Sequence, residues 1–218
     1  MEDKRRIHIR GVGHAEQAPD QVVVSLTLIA QNKEYTAALT IGSQQVEMLR
    51  EAIVEAGFKA KDLKTSNFNV RAIYEDEEYR EGSSKRSRQI FVGFECRHDL
   101  KLTFDFKNDK LNKAVDTIAA SLSQPKISIA FTLKDAEDFN DRLLKSAARD
   151  AKRKAKILCA AAGVKLGKLI DIDYSWNEFR IHETIVCGEC APVGDNSFDF
   201  QPEDITASES VDFLWEIE

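Results

Sequence analysis

The stretch Gln21-Val22-Val23-Val24-Ser25-Leu26-Thr27-Leu28-Ile29-Ala30-Gln31 decides how the chain is read. Val22, Val24, Leu26 and Leu28 point one way and Val23, Ser25 and Thr27 the other, the period-2 alternation of a strand with one buried face. From Tyr35 the period becomes helical. Tyr35, Leu39, Val46, Leu49, Ile53 and Ala56 share one stripe, and Gly57 stands where a C′ glycine closes a helix. Upstream, residues 7–13 alternate as another strand, and Ala18-Pro19-Asp20 between the two is a turn, because proline presets φ.

Downstream, Phe68, Val70, Ala72 and Tyr74 alternate in one strand, and Phe94, Cys96, Leu100, Leu102, Phe104 and Phe106 in a long second one. Their connection is a polyampholyte, with Glu75-Asp76-Glu77-Glu78 at one end, Lys85-Arg86-Ser87-Arg88 at the other and Gly82-Ser83-Ser84 between. It reads as a solvated hairpin tip whose arms attract, each exposed pair adding at most about 1 kcal/mol. Asn108 is the expected cap of a helix with Leu111, Val115, Ile118, Ala119 and Leu122 inward. After Pro125, Ile127, Ile129, Phe131 and Leu133 form a strand. Asp135 then opens a helix of roughly 27 residues, about 40 Å long, with Asp138 in place of the capping-box acid. Its stripe reads Phe139, Leu143, Ala147, Ala151, Ala155, Leu158 and Ala162, and Gly163 stops it. A strand near Leu169–Tyr174, a loop from about Trp176 to Asp204 and a last strand with Val211, Phe213, Trp215 and Ile217 on one face complete the chain.

Three helices and about seven strands joined by short turns define an α+β class: an antiparallel or mixed sheet with the helices packed on one face. The order β-β-α-β-β followed by α-β-α-β-β suggests one domain, 1–218, built from related halves 1–106 and 107–218. Composition agrees with a globular chain: 218 residues, 43% apolar and 31% charged. No apolar run reaches the roughly 20 residues of a membrane-spanning helix. A net charge of −6 argues against a dedicated nucleic-acid binder. Met1-Glu2-Asp3-Lys4-Arg5-Arg6-Ile7-His8 has no apolar segment behind its basic residues, so no signal peptide is read. The expected location is cytoplasmic, with the periplasm as the alternative if a leader has been removed.

Several local sequences, in this order, resemble one family. They are Gly11-Val12-Gly13-His14-Ala15-Glu16 followed by Pro19-Asp20, then Asp62-Leu63-Lys64-Thr65-Ser66-Asn67-Phe68 after the first helix. Gly93-Phe94-Glu95 opens the long strand, and Ala147-Ala148-Arg149-Asp150-Ala151-Lys152-Arg153-Lys154-Ala155 leads to Gly163. Ile205 to Val211 closes the set. Together they resemble the SIMPL domain family, which includes bacterial periplasmic immunogenic proteins and a protein that binds an interleukin-1-receptor-associated kinase. The resemblance implies a mixed α/β domain, frequent oligomerisation and no established catalytic site. The chain departs from the pattern in showing no signal peptide and in carrying a cysteine-containing loop.

No constellation in the sequence specifies an enzyme, a cofactor or a metal. Gly11 and Gly13 lack the third glycine of a dinucleotide fingerprint, and a strand follows them, so they read as a structural turn or bulge. Cys187-Gly188-Glu189-Cys190, with His182 upstream, could share a zinc ion or act in redox chemistry. Ala191-Pro192-Val193-Gly194 looks like loop, and a fourth zinc ligand would have to come from Asp195, Asp199 or another subunit. Unremarkable loop cysteines are the expectation. His8, His14 and His98 read as hydrogen-bonded structural residues. Arg142, Lys145, Arg149, Lys152, Arg153 and Lys156 give the long helix a basic face, while no Lys or Arg follows Ile181 and ten acids do. The sharper expectation is that the acidic segment docks on that helix, within a chain or between subunits, with nucleic acid or anionic lipid as weaker partners.

The sequence is therefore read as a non-enzymatic homo-oligomer that binds proteins. Its contacts are expected through the 142–156 helix face or the 176–204 loop, where Phe198 and Phe200 are candidate anchors. The rival is a redox or zinc-binding protein using Cys187 and Cys190.

Overall fold

The computed structural model describes residues 5–81, 84–174, 184–186 and 199–218. The elements run β1 (Arg6–Gln17), β2 (Gln21–Asn32), α1 (Tyr35–Glu55), a 3-10 turn (Ala60–Asp62), β3 (Leu63–Glu81), β4 (Ser84–Asp105) and α2 (Asn108–Ala120). They continue with β5 (Lys126–Thr132), α3 (Ala136–Ala162), β6 (Leu166–Asp173), β7 (Thr184–Val186) and β8 (Ile205–Ile217). The α+β class and the three helices are as read from the sequence.

The strands fall into two sheets, one ordered β1-β8-β6 and the other β3-β4-β2-β5-β7. Ala18-Pro19-Asp20 lies between β1 and β2 as irregular chain, not as a defined turn, and the two strands are in different sheets. β1 runs antiparallel to β8 along its whole length and β2 antiparallel to β4. Two compact units follow the sheets. One holds residues 1–20, 132–183 and 202–218, and the other 21–131 and 184–201. β7 lies inside the stretch expected to be loop and pairs with β5.

In the five-stranded unit, Val22, Val24, Leu26 and Leu28 of β2 and Leu100, Leu102 and Phe104 of β4 form one side of the core. Val46, Leu49 and Ile53 of α1 and Leu111, Val115 and Ile118 of α2 close it. Gly57 has φ +97°, the left-handed conformation its place after α1 requires. Asn108 is not the cap of α2. Lys107 holds that position without a side-chain bond, and Asn108 instead holds the chain near residue 200. Its Nδ2 donates to Asp199 Oδ1 at 3.0 Å and its Oδ1 accepts from the Phe200 N–H at 3.1 Å. Phe200 is half-buried against this core, 6.3 Å from the Phe131 ring, so it is not an exposed anchor.

In the three-stranded unit, α3 lies on β1 and β8. Asp135 caps it, accepting from the Asp138 N–H at 2.9 Å, and Gly163 ends it at φ +70°. Phe139, Leu143, Ala147, Ala151 and Ala155 are buried as expected, but the stripe ends on Cys159 and leaves Leu158 half exposed. Gly11 and Gly13 are neither a turn nor a bulge. Both sit in regular β1, where a Cβ at Gly11 would fall on the Ala147 carbonyl oxygen and one at Gly13 on that of Leu143. They are small because the backbone of α3 touches the backbone of β1.

That closeness lets α3 cover the free edge of β1. Lys154 Nζ donates to the Arg10 carbonyl at 3.2 Å, Asp150 Oδ2 accepts from the Val12 N–H at 3.0 Å, and Ser146 Oγ accepts from the His14 N–H at 3.2 Å. Arg142 completes the row on the Gln17 side chain. Spacing of four along a helix places these side chains on one line, and they satisfy backbone groups that a further strand would otherwise pair. Bonds from Lys154, the Val12 N–H and Arg153 hold the Asp150 carboxyl well below the usual carboxylate range.

Candidate interaction site

Two features of the five-stranded sheet stand out against the structural roles above. The first is on the face of β2, β3 and β4 turned away from the helices. Register aligns three cross-strand rows there: Thr27–Asp99–Asn67, Ile29–Arg97–Asn69 and Gln31–Glu95–Arg71. In the first, Thr27 Oγ1 donates to Asp99 at 2.7 Å, Asn67 Nδ2 donates at 3.2 Å, and Arg97 Nε reaches from the next row at 3.1 Å. In the last, Gln31 Nε2 donates to Glu95 at 3.0 Å, while Arg71 Nε and Nη2 bind the same carboxylate at 3.0 and 2.9 Å.

Glu95 is only 8% exposed, which an unpaired carboxylate would not tolerate. The Gln31 bond, then those of Arg71, hold it below the usual carboxylate range despite burial. Arg97, Thr27 and Asn67 do the same for Asp99. β3 and β4 residues line a shallow polar depression of about 290 Å³ here. Its two carboxylates and two guanidiniums neutralise one another, so it has the chemistry of a rigid hydrophilic surface. Gly93, two residues before Glu95, passes so close to the Asn32 carbonyl that a Cβ would strike it.

The second feature is the hairpin. β2 ends opposite Phe94, so beyond that point, among the described residues, β3 and β4 pair only with each other, from Ile73/Gly93 out to Glu81/Ser84. Tyr35, Phe94, Phe91 and Tyr74 climb its base as consecutive edge-to-face rings 5.3–5.8 Å apart, and Tyr74 and Phe91 are exposed. Arg88 Nη2 meets Glu77 at 2.7 Å, Lys85 lies 4.0 Å from Glu78, and the Arg88 guanidinium also covers Tyr79. The attraction between the arms read from the sequence is present.

The other expected site residues divide. His98 is structural, with Nε2 3.2 Å from Thr65 Oγ1 and its ring edge-on to Phe68. Burial, then the Arg50 charge, push its pKa below 6.5, against the pull of Asp99. The unfolded chain therefore binds this proton more readily, and His98 costs stability as pH falls through 6.5 toward its folded pKa. An NMR titration is expected to give His98 a midpoint below 6.5; one above it would contradict this packing. His8 lies 3.9 Å from Asp212, and Arg10 Nη2 binds the same carboxylate at 2.7 Å.

The basic face of α3 is partly neutralised by its own helix: Arg142 by Asp138, Lys145 by Asp141 and Arg153 by Asp150. Of the C-terminal acids, Asp212 pairs with β1 and not with α3. Cys187, Cys190, His182 and Phe198 lie outside the described residues. Cys96 and Cys159 are free and buried, and burial pushes the Cys96 thiol up, away from reactivity. Among the described residues no group of three or more His, Cys, Asp and Glu is placed to hold a metal ion. No helix among them is long and apolar enough to cross a membrane.

The sequence motifs have thus converged into an architectural clasp at β1 and α3 and a polar sheet face at β2–β4. The chain belongs to the SIMPL family, described as a protein of unknown function (DUF541), whose model matches residues 7–215. It is similar to the 26 kDa periplasmic immunogenic protein of Brucella melitensis biotype 1, at 23% identity over 177 residues, covering 77% of this chain and 65% of the relative. The protein of the same name from Brucella abortus strain S19 matches to the same extent. The chain therefore spans just under two thirds of these relatives' length.

Proposed function

We propose that this SIMPL-family chain acts without catalysis, by assembling with copies of itself and presenting the assembly to other proteins. The β3–β4 ribbon is its main contact. One observation carries this reading: past Phe94 both ribbon edges are unpaired among the described residues, on an element that exposes aromatic rings. A two-stranded ribbon is marginal alone, and its open edges are templates for another strand.

The charges select the arrangement. β3 carries Glu75, Asp76, Glu77 and Glu78, and β4 carries Lys85, Arg86 and Arg88. Like strands placed edge to edge would oppose like charges, whereas β3 of one copy beside β4 of the next pairs opposite ones. Such head-to-tail contacts close into rings when the rotation allows. Arg149, Lys152 and Lys156, which have no ion pair among the described residues, offer a secondary surface for an acidic protein. Both relatives are periplasmic by name, which supports the periplasmic alternative over the cytoplasmic expectation.

Light scattering after size exclusion, in reducing buffer, tests the reading. The expected mass is a discrete multiple of 24.6 kDa. Glu75 and Ile90 are directly opposite, so an Asn-Gly turn can replace the residues between them, and this shortened chain is expected to form a smaller species. A wild-type mass of one chain would overturn self-assembly. An unchanged number of copies per assembly in the shortened chain would remove the ribbon as the contact.

A further inference from the structure

The three-stranded sheet has two edges, and they are treated differently. The β1 edge is covered by Ser146, Asp150 and Lys154 of α3. The β6 edge pairs with no strand among the described residues and carries Leu169, Ile170 and Ile172 at 47%, 42% and 51% exposure. Lys168, Asp171, Asp173 and two register irregularities blunt this edge against indiscriminate pairing, so a partner strand has to match its charges as well as its three large aliphatic side chains. The geometry points to a second copy of this chain as the cover, with β6 pairing antiparallel to β6 of its partner about a two-fold axis.

The sequence Lys168-Leu169-Ile170-Asp171-Ile172-Asp173 is complementary to itself with Lys168 opposite Asp173; the alternative of Lys168 opposite Asp171 sets Gly167 opposite Ile172 and Leu166 opposite Asp173. Placing Lys168 opposite Asp173 also sets Leu169 opposite Ile172 and Ile170 opposite Asp171, each contact occurring twice by symmetry. Centring the pair on Asp171 opposes two like charges, and centring it on Ile172 sets Asp171 against Asp173; both are disfavoured.

Side-chain direction selects the same register. Irregularities between Leu166 and Leu169 and between Leu169 and Asp171 put Leu169 opposite Trp215 and Ile172 opposite Phe213. Both therefore lie on the face that carries the stacked Phe213 and Trp215 rings, although three residues apart they would lie on opposite faces of a regular strand. A two-fold axis normal to the sheet keeps that face common to both copies, so Leu169 of one meets Ile172 of the other on it. The joined sheet would run β1-β8-β6 in one copy and β6-β8-β1 in the next, ending on covered edges.

This interface deepens the self-assembly reading and rests on it, adding a two-fold contact to the head-to-tail one. Lys168→Asp alone and Asp173→Lys alone, in the full-length chain, are each expected to halve the mass of the assembly at a given concentration. The double variant restores opposite charges at both positions and is expected to recover the wild-type mass. Both side chains are exposed and make no ion pair among the described residues, so circular dichroism should be unchanged in all three. Single variants with wild-type mass would overturn the β6 contact and leave self-assembly standing, as would a double variant that fails to recover. A wild-type mass of one chain would overturn both. Variants that halve the mass only by losing ordered structure would also overturn the contact.

Discussion

Gly13→Val is expected to cost about 3 kcal/mol or more of stability, the upper range for overpacking, because the atom it strikes cannot move aside. The Cβ would fall on the Leu143 carbonyl oxygen and crowd the Ala147 N–H, both backbone atoms inside α3. Relief requires the whole helix to lift from β1. Lifting it uncovers Ile9, Phe213 and Trp215 and separates Asp150 from the Val12 N–H and Lys154 from the Arg10 carbonyl. Gly11→Val meets the same obstacle at Ala147 and is expected to behave alike. Chemical denaturation read through Trp215 fluorescence, with Trp176→Phe removing the other indole, measures the effect. A loss below about 0.5 kcal/mol, the size of an ordinary surface change, would mean that α3 does not rest on this strand.

Leu26→Ala is expected to cost about 3–5 kcal/mol, the range for removing a buried leucine from a core that cannot collapse. Leu26 is fully buried at the centre of β2, with Leu28 and Val24 beside it on the same face and α1 and α2 closing that core. The next residue gives the contrast. Thr27 faces the polar side, and Thr27→Val removes one donor from Asp99 while Arg97 and Asn67 remain. Its expected cost is about 1 kcal/mol. Urea midpoints at constant denaturant slope compare the two. Equal losses would contradict a sheet with one apolar and one polar face.

Much of this architecture was legible in local sequence. Alternation along 21–31, the glycines after α1 and α3 and the Asp135 cap each depend on a few neighbouring residues, and the structure places each as read. Reading failed where two local solutions fit equally well. A helical stripe can continue three or four residues beyond Ala155, and only packing against the sheet chose Cys159 over Leu158. Asn108 suits a cap by residue type, yet its amide holds Asp199 and Phe200, 91 and 92 positions away. The glycine pair reads locally as a turn or bulge but lies in regular β1, since nothing near residue 12 reveals that a helix backbone will arrive there.

The interaction surfaces divide the same way. The charges of the hairpin arms are plain in residues 75–88, because the two arms are neighbours in sequence and must meet. The burial of Glu95, the cover on β1 and the β6 edge that pairs with no strand among the described residues are not legible there. They depend on which strands share a sheet, and the contacts between β1 and β8 span about two hundred residues. By itself the sequence determined where most strands and helices lie, because periodicity, capping and backbone strain act over a few residues. Only the tertiary structure decided which edges are closed and which stay open, because an edge is defined by the strand beside it and not by the strand alone.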